Sequence, residues 1–505
     1  MKKVLLFLFV GSSLTALSAN DVYQTPNTGT VYTFADLAKI EDSGVTQIDD
    51  NTFRLSKDID VLEKDGLVLD NNATLRLGAD ILVRMYGGSN NFAPADTATI
   101  MPDGEGIKPK GVHFIDTYVP QNVKHVRFEG AGLRLGAPAG VTVENCSFIE
   151  HNTRIGNYAI GFVASSINNA VRNCYFYRTH LSAIGAGSNL AAGVVIEDNV
   201  FEDCSTDNRN YPVINETPAA DNGAIVIRRN TIYGGKRTLP GAISVSNMLS
   251  MIGDHQIVIE DNYMDNSRYG INILGNYMNV KIKGNDIINC HYETNAMNGG
   301  SGITVNSTSD TNPTSVYIEG NTIDGSLWGV TIIGKTKANL GNNADATASD
   351  YNPGRNVFAN NGNCGKAPAG AENAWDPTIP YDLYNNTALT IYAQGNTWGG
   401  ADQSAEEIEK RIYHKTDNSA LGEVIYLPAG GGVAGIAEIE SPDFSISVSG
   451  AGTFTVNGVD ASTPVMVYDL SGVRLFNGTA AEEISLNHRG AAVVVVGGTS
   501  VRILL

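Results

Sequence analysis

The middle of the chain repeats one pattern of apolar and polar positions. Segments such as AIVIRRNTI, QIVIEDNYM and SVYIEGNTI alternate β-branched with polar residues, and this period of two predicts strands that bury one face. The polar residue that follows each strand defines what we call the key column. Its members are Cys146, Cys174, Asn199, Asn230, Asn262, Asn285, Asn321 and, more loosely, Asn356 and Asn396. They are 23 to 40 residues apart, so we expect stacked strands whose connecting loops differ in length.

Flanking columns set the register of this stack. The positions three before and two after the key column are apolar in each repeat, from Val143 and Phe148 onwards, and are expected to face inward. The position two before it is charged and alternates in sign, in the order Glu144, Arg172, Glu197, Arg228, Glu260, Lys283, Glu319. Like charges stacked about 4.8 Å apart would repel, whereas this alternation places each carboxylate beside a cation. The sequence therefore predicts that these repeats are adjacent turns, with Arg228 close to both Glu197 and Glu260.

A second strand follows a glycine-centred turn in each repeat, as in SAIGAGS, YGINILG and WGVTIIG. Two or three short strands in each repeat, without long helical periodicity, predict an all-β solenoid of parallel strands. The asparagine column and the YGI and WGV steps resemble those of the pectin-lyase-like superfamily over roughly residues 50 to 425. The resemblance implies a right-handed parallel β-helix with capped ends, and it says much less about activity.

The rest of the chain divides into terminal segments. Residues 1–19 combine two lysines, an apolar run and small residues, which predicts a cleaved secretory signal peptide. Residues 20–50 are expected to form an N-terminal segment with a capping helix in TFADLAKI, and residues 51–427 the β-helix with its C-terminal cap. In that cap Ser404 is predicted to begin a short helix, and Trp398 and His414 to pack structurally. Residues 428–443 are predicted to be a Gly/Ala-rich linker.

Residues 444–505 predict a small β domain. Its VYDLSG step and short last strand resemble the C-terminal sorting domains of proteins exported by the type IX system of Bacteroidetes. Two steps depart from that family: Gly490-Ala491-Ala492 stands where a Gly-x-Tyr step is expected, and Ser441-Pro442 replaces Asn-Pro. A plain β-sandwich accessory module is the alternative. With the signal peptide, the domain predicts a secreted or cell-surface protein.

The amino-acid composition limits the classes of molecule that the chain is expected to bind. The chain has 505 residues, with 34 basic against 53 acidic side chains and a net charge of −19. This balance argues against a general nucleic-acid or anionic-membrane binder. No stretch after the signal peptide is long and apolar enough to span a bilayer. The five cysteines are an odd number, so Cys146 and Cys174 are expected to stack as thiols rather than to organise a disulfide framework. The chain is expected to be a monomer.

In the pectin-lyase-like superfamily, ligands lie along a groove formed by one sheet and the loops after the key-column strand. In this chain those loops gather cations against few acids, at His151, Arg154, Arg178, His180, Arg209, Lys236, Arg237, Arg268 and His291. Such a set suits an acidic polysaccharide. β-Elimination at a uronate requires a base, an acid and a group that neutralises the carboxylate. The candidate bases are His180 and Lys236, and the candidate substrate-binding residues are Arg178, Arg209, Arg237, Arg268, His291 and Tyr292.

These residues predict an exported protein that engages an acidic polysaccharide and that, if it is an enzyme, cleaves this polymer as a carbon–oxygen lyase. The alternatives are a non-catalytic glycan-binding or adhesin-like surface protein, and a spacer whose loop cations only keep the surface solvated. The acid-rich sets of polygalacturonase-like hydrolases are absent, and so is the Arg-x-x-Pro-x-x-Arg motif of pectate lyases, because RTLP at residues 237–240 continues into GAI. No cofactor is expected. Surface Asp and Asn residues leave calcium open, but no spaced ligand motif indicates it.

Overall fold

The computed structural model describes residues 21–504 apart from 116, 153–156, 164–165, 187–191, 219–222, 294–298, 363–377, 379, 431–443, 451, 470–473, 481–482, 487–490 and 498. The predicted signal peptide, most of the predicted linker, Arg154 and Cys364 lie outside the described residues.

Three long sheets make up most of the described chain. Sheet 1 has 14 strands, in spatial order Val22–Gln24, Asp58–Val61, Leu82–Met85, Gly111–Ile115, Gly132–Gly136, Tyr158–Phe162, Ser182–Ala186, Ile214–Glu216, Ile243–Asn247, Ile271–Gly275, Ser301–Ser307, Trp328–Gly334, Leu383–Thr387 and Ile412–Tyr413. Sheet 2 has 11, namely Gln121–Lys124, Val141–Glu144, Ser166–Arg172, Ala192–Glu197, Ile225–Arg228, His255–Glu260, Met278–Lys283, Ser315–Glu319, Lys337–Gly341, Ile391–Ala393 and Val424–Ile425. Sheet 3 has 13, namely Val45–Gln47, Thr52–Leu55, Thr74–Leu77, Ala98–Pro102, Val126–Glu129, Ser147–Ile149, Tyr175–Tyr177, Val200–Glu202, Thr231–Tyr233, Tyr263–Asp265, Asp286–Ile288, Thr322–Asp324 and Val357–Ala359.

Each turn of the chain visits the three sheets in the order 2, 3, 1 and then rises to the next turn. Neighbouring strands are parallel in all three sheets, except that Val45–Gln47 runs antiparallel to Thr52–Leu55. The predicted right-handed parallel β-helix is therefore confirmed. Sheet 1 begins in the N-terminal segment, because Val22–Gln24 pairs with Asp58–Val61. A short two-stranded sheet, Val31–Thr33 with Gly66–Val68, lies beside this first turn.

From Asn199 onwards, the key column forms a continuous ladder of side-chain amides between sheets 2 and 3. Asn262 Nδ2 donates to Asn285 Oδ1 at 2.9 Å, and Asn262 Oδ1 accepts from Asn230 Nδ2 at 2.9 Å. The same amide bond, 2.8 to 2.9 Å long, joins each consecutive pair from Asn199 to Asn396. Because each buried amide is satisfied by the turn above and the turn below, the ladder holds the turns in one register.

The alternating charges lie beside this ladder, as predicted. Arg228 Nε contacts Glu197 Oε2 at 2.7 Å, and Arg228 Nη1 lies 3.9 Å from Glu260 Oε1. The charged positions have the opposite parity to the inward columns, which predicts that they face solvent. Glu197 is nevertheless only 6% exposed, because Arg172 and Arg229 also contact its carboxylate. The register of the solenoid is confirmed, with two acids of the column, Glu197 and Glu319, more deeply covered than the pattern predicts.

Phenylalanine rings stack inside the first half of the solenoid. Phe128, Phe148, Phe176 and Phe201 follow one another with centroid distances of 4.7, 5.0 and 4.7 Å. In the next turn Ile232 takes the same inward position. Cys146 and Cys174 are buried free thiols in the key column, as predicted.

Short helices cover both ends of the solenoid. The helix Phe34–Leu37 begins with a capping box in which the Thr33 hydroxyl accepts from Asp36 N and the Asp36 carboxylate accepts from Thr33 N. The helix Ala405–Glu409 begins at Ser404, as predicted, and its Ile408 is fully buried.

Trp398 and His414 both pack in the C-terminal cap. Trp398 stacks on Phe358 with a centroid distance of 5.0 Å. His414 Nδ1 accepts from the backbone N–H of Val424 at 2.9 Å, and its Nε2 lies 3.0 Å from Glu409 Oε1. These contacts support the structural role predicted for both residues.

The C-terminal segment forms a separate antiparallel β unit with its own core around Phe454 and Val467. One sheet contains Ser445–Gly450, Thr453–Asn457 and Ile484–Ser485, and the other contains Arg474–Thr479, Pro464–Asp469, Ala491–Val496 and Thr499–Leu504. None of the helices in the described part of the chain is long and apolar enough to cross a membrane.

One inward position of sheet 1 carries an acid. Glu216 pairs in register with Val245, and both of its carboxylate oxygens are buried without a hydrogen-bond partner among the described residues. Burial raises the pKa of Glu216 well above its ordinary value because a charged carboxylate is poorly solvated in the core. Burial therefore favours the neutral form of Glu216.

The amide ladder should dominate local stability. We expect Asn262→Ala to lower the free energy of unfolding by about 2–5 kcal/mol, since it leaves amide and backbone partners on both neighbouring turns unsatisfied. Asn122→Ala, at an exposed position of sheet 2, should change it by less than about 0.5 kcal/mol. Denaturant titration of both variants measures the difference, and equal losses would contradict the role of the ladder.

Glu216 should make stability depend on pH. Because its pKa is raised in the folded protein, the unfolded chain releases this proton first, and stability falls as pH rises above the ordinary glutamate pKa. We expect Glu216→Gln to remove this slope, which amounts to at most about 1.4 kcal/mol per pH unit. Denaturation midpoints from pH 4 to 8 compare the two proteins. Parallel pH profiles would show that Glu216 is not neutral in the native state.

Candidate functional site

The outer face of sheet 1 carries a column of mostly polar residues, one from each turn. We call it the sheet 1 column, and its members in register are Asp60, Arg84, His113, Arg134, Gly161, Gly185, Asn215, Ser244, Asn272, Thr304, Thr331 and Tyr384. Each alternates with inward residues of the core, so the pleat directs it outward. The residues at the start of the column are ionic, those in its middle are glycines, and those towards its end are polar or aromatic.

The ionic end holds a histidine between two arginines. His113 pairs in register with Arg84 on one side and with Arg134 on the other. Arg84 contacts the carboxylates of Asp58 and Asp60. Burial and then the charges of Arg134 and Arg84 lower the pKa of His113 to about 4. The imidazole is therefore uncharged near neutral pH, which is the form that accepts a proton.

The Tyr158 ring lies over the two glycines of the column. A Cβ atom at Gly185 would lie 2.4 Å from Tyr158 Cε1, so only glycine leaves room for the ring. The Tyr158 hydroxyl donates to the backbone oxygen of Ala186 at 3.1 Å and accepts from Asn215 Nδ2 at 3.5 Å. Burial raises the pKa of Tyr158 to about 12. The ring is thus a fixed, uncharged surface between the ionic end and the rest of the column.

Beyond Tyr158 the column forms the floor of a groove of about 430 Å³. Hydroxyl and amide groups line its floor, at Asn215, Ser244, Ser246, Asn272, Thr304, Thr331 and Asn386. Aromatic side chains close one end, where Trp328 lies 5.3 Å from Tyr384 between ring centroids. Arg268 reaches the rim from a loop and lies over the Tyr269 ring at 5.8 Å. Such a lining offers hydrogen-bond partners and flat apolar faces, which suit sugar rings.

The structure pairs several of the predicted cationic residues with acids. Arg178 Nη1 and Arg237 Nη1 each lie 2.6 Å from Asp203, on its two carboxylate oxygens. Arg268 Nε contacts Glu293 Oε2 at 2.5 Å, and Arg268 Nη1 donates to Asn210 Oδ1 at 3.1 Å. These arginines cross-link adjacent loops, so part of their charge is already neutralised.

The remaining predicted residues have more varied surroundings. His180 Nδ1 lies 3.2 Å from Asp207 Oδ1, and Arg209 lies over the Tyr211 ring at 5.3 Å. His291 Nδ1 contacts the backbone oxygen of Gly325 at 2.6 Å, and its ring stacks on Tyr292 at 4.8 Å. Lys236 is exposed, with no ion-pair partner in the part of the chain that the structure describes.

His151 differs from the expectation of a surface cation. It is 2% exposed, and burial, followed by the charge of His180, lowers its pKa to about 3. His151 is therefore an uncharged residue of the loop interior. The candidate bases His180 and Lys236, and the substrate-binding assignments of the other loop residues, stay predictions.

The site residues predicted from the sequence do not include Arg84, His113, Arg134 or Tyr158. The signal was present in three short strands, where VRM, VHF and LRL each place one charged or titratable residue between two core residues. Their even alternation marks the middle residue as outward-facing, and the turn-by-turn register brings the three together. Tyr158 had no comparable signal, because its role depends on two glycines from different turns.

The described residues contain no group of three or more His, Cys, Asp or Glu side chains arranged to hold a metal ion.

A scan of protein-family models and a search of curated protein sequences find no match. Among solved structures, the chain is similar to a variant of the periplasmic alginate epimerase AlgG, with 10% sequence identity and a TM-score of 0.37 over 79% of this chain and 83% of that one. It is also similar to a mannuronic acid specific polysaccharide family 6 lyase from human gut microbiota, with 10% identity and a TM-score of 0.32 over 84% of this chain and 88% of that one.

Proposed function

We propose that this chain binds an acidic polysaccharide along the outer face of sheet 1 and cleaves it as a lyase at the ionic end of the sheet 1 column. One observation carries the proposal: an uncharged histidine, His113, lies in register between Arg84 and Arg134. A neutral base beside cations is the arrangement needed to remove a proton from the carbon next to a carboxylate.

In this mechanism the two arginines differ in role. Arg84 is held beside His113 by Asp58 and Asp60, and Arg134, in register on the other side of His113, contacts the carboxylate of a bound uronate. Neutralising that carboxylate makes the C5 proton more acidic, and His113 accepts it. The bound carboxylate also offsets the arginine charges that lower the pKa of His113, so substrate binding strengthens the base. Elimination then forms the C4–C5 double bond of an unsaturated uronate end and breaks the bond between C4 and the glycosidic oxygen, which takes a proton from water and leaves as a hydroxyl group.

The rest of the column supports a polymer rather than a monosaccharide as substrate. Four register steps separate His113 from Asn215, which is about 19 Å along the solenoid. Tyr158 provides an aromatic surface in this interval, and the polar groove continues beyond it. A chain that contacts both the ionic end and the groove must span several sugar residues.

A second candidate function is glycan binding without cleavage. It is favoured by the ion pairs of Arg178, Arg237 and Arg268 with loop acids, because charges committed to structure contribute less to transition-state stabilisation. Such a protein would use the same face and retain acidic glycans without forming product.

We also propose export of the chain, on the basis of the signal-peptide pattern in residues 1–19. The likeness of residues 444–505 to type IX sorting domains supports a secreted or cell-surface location in a Bacteroidetes-type cell. These assignments rest on sequence pattern.

The lyase proposal predicts which variants lose activity. We expect polymannuronate, polyguluronate, polygalacturonate or hyaluronan to yield unsaturated ends, followed by ultraviolet absorbance, and His113→Gln to slow this at least about 100-fold because the general base is lost. His180→Ala and Lys236→Ala serve as comparison variants for the loop assignment. If either loop variant lost activity while His113→Gln kept full activity, the general base would be a loop residue and not His113. Binding of a polymer without product from any variant would favour the glycan-binding function.

The state of His113 can be measured directly. An NMR titration of the imidazole, assigned with His113→Gln, should give a pKa of about 4 in the free protein. A saturating oligouronate should raise it towards the ordinary value of about 6.5, because its carboxylate offsets the arginine charges. A free-protein pKa near the ordinary value, or no change on addition of the oligomer, would contradict the proposed site.

A further inference from the structure

A second groove lies on the outer face of sheet 2, away from the sheet 1 column. It has a volume of about 730 Å³ and is lined by five consecutive strands, from His255–Glu260 to Ile391–Ala393. Leu389, Thr390 and Asp350 border it from neighbouring loops. We call it the sheet 2 groove.

The register of the strands aligns its side chains in one row. Val258 pairs with Lys281, Lys281 with Tyr317, Tyr317 with Asn339, and Asn339 with Tyr392. Adjacent members of a parallel sheet are about 4.8 Å apart, similar to the length of one sugar residue in an extended polysaccharide. The row therefore presents a cation and two aromatic rings in line.

The positive charges of this groove form no ion pairs with acidic side chains in the described part of the chain. Other lysines of sheet 2 have carboxylate partners, as Lys124 does with Glu144 at 2.6 Å and Lys283 with Glu319 at 3.3 Å. Lys281 and Lys337 are exposed, and neither has an ion-pair partner among the residues described by the structure. In a chain with a net charge of −19, two such cations on a largely apolar surface favour an anionic ligand.

The rings of Tyr317 and Tyr392 in this groove can stack on a flat ligand. The Tyr317 hydroxyl donates to Glu319 Oε2 at 3.0 Å, which fixes the ring beside Lys281. Tyr392 is 39% exposed. Asp350 is an acid at the rim, and its Oδ2 accepts from Asn342 Nδ2 at 2.9 Å. Stacking faces next to cations match sugar rings that carry carboxylates.

We propose that the sheet 2 groove is a second, non-catalytic binding site for a uronate polysaccharide, in which Lys281 and Lys337 contact carboxylates and Tyr317 and Tyr392 contact sugar faces. The proposal takes its ligand class from the proposed function but needs no chemistry at His113. Two register steps, about 10 Å, separate the strands of the two lysines, so they would contact carboxylates of non-adjacent sugars. Binding at both faces would retain a long polymer by raising its effective concentration.

Lysine footprinting of the full-length protein tests the site. We expect an oligomannuronate at ten times its Kd to slow acetylation of Lys281 and Lys337 by about tenfold, with no change at exposed Lys64. A sulfated oligosaccharide of equal length should protect them less. Unchanged acetylation would overturn the proposal. Protection without any glycan would also overturn it, because it would mean that another part of the chain or a second copy already covers the groove.

A double variant separates this site from the catalytic proposal. Lys281→Ala with Lys337→Ala should weaken retention on polymannuronate in affinity electrophoresis by about tenfold, while turnover of short oligomers stays unchanged. Lys64→Ala controls for a change of net charge at an exposed position. Product formation without a footprint would reject only the second site, and a footprint without product would reject only the lyase proposal. Equal retention of the double variant and Lys64→Ala would overturn the second site.

Discussion

The fixed distance between adjacent turns is the constraint on which the rest of this structure depends. The amide ladder holds that distance, because each asparagine between sheets 2 and 3 donates to one neighbour and accepts from the other. A slip by one residue would bury the outward side chains and break the amide bonds together. The charge column and the phenylalanine stack follow from the same spacing.

This spacing also determines how surface chemistry is assembled. Arg84, His113 and Arg134 are far apart in the sequence, yet each occupies the same position of its strand and the three become neighbours. The position of a residue within its turn thus decides which face it serves. The outer faces of sheet 1 and sheet 2 are built in this way from different residue types. Because the strands fix both faces, the connecting loops can change without altering either one.

Much of the architecture could be predicted from the sequence, and less of the site. The position of Arg228 between Glu197 and Glu260 followed from sign alternation alone, and the cap role of Trp398 followed from its place after the last turn. The ion pairs of the loop cations were harder to predict, because their acidic partners come from other turns at irregular sequence offsets. Asp203, for example, contacts both Arg178 and Arg237. Burial of Glu216 and His151 depends on three-dimensional packing that alternation does not describe.

The phenylalanine stack and the amide ladder lie in different halves of the solenoid. Stacked rings extend from Phe128 to Phe201, and shared amides extend from Asn199 to Asn396, so they meet in a single turn. Apolar contact weakens on cooling, whereas bonds between amides depend less on water structure. We therefore expect the N-terminal half to loosen first in the cold, with the turn at Asn199 as the boundary of the loosened part.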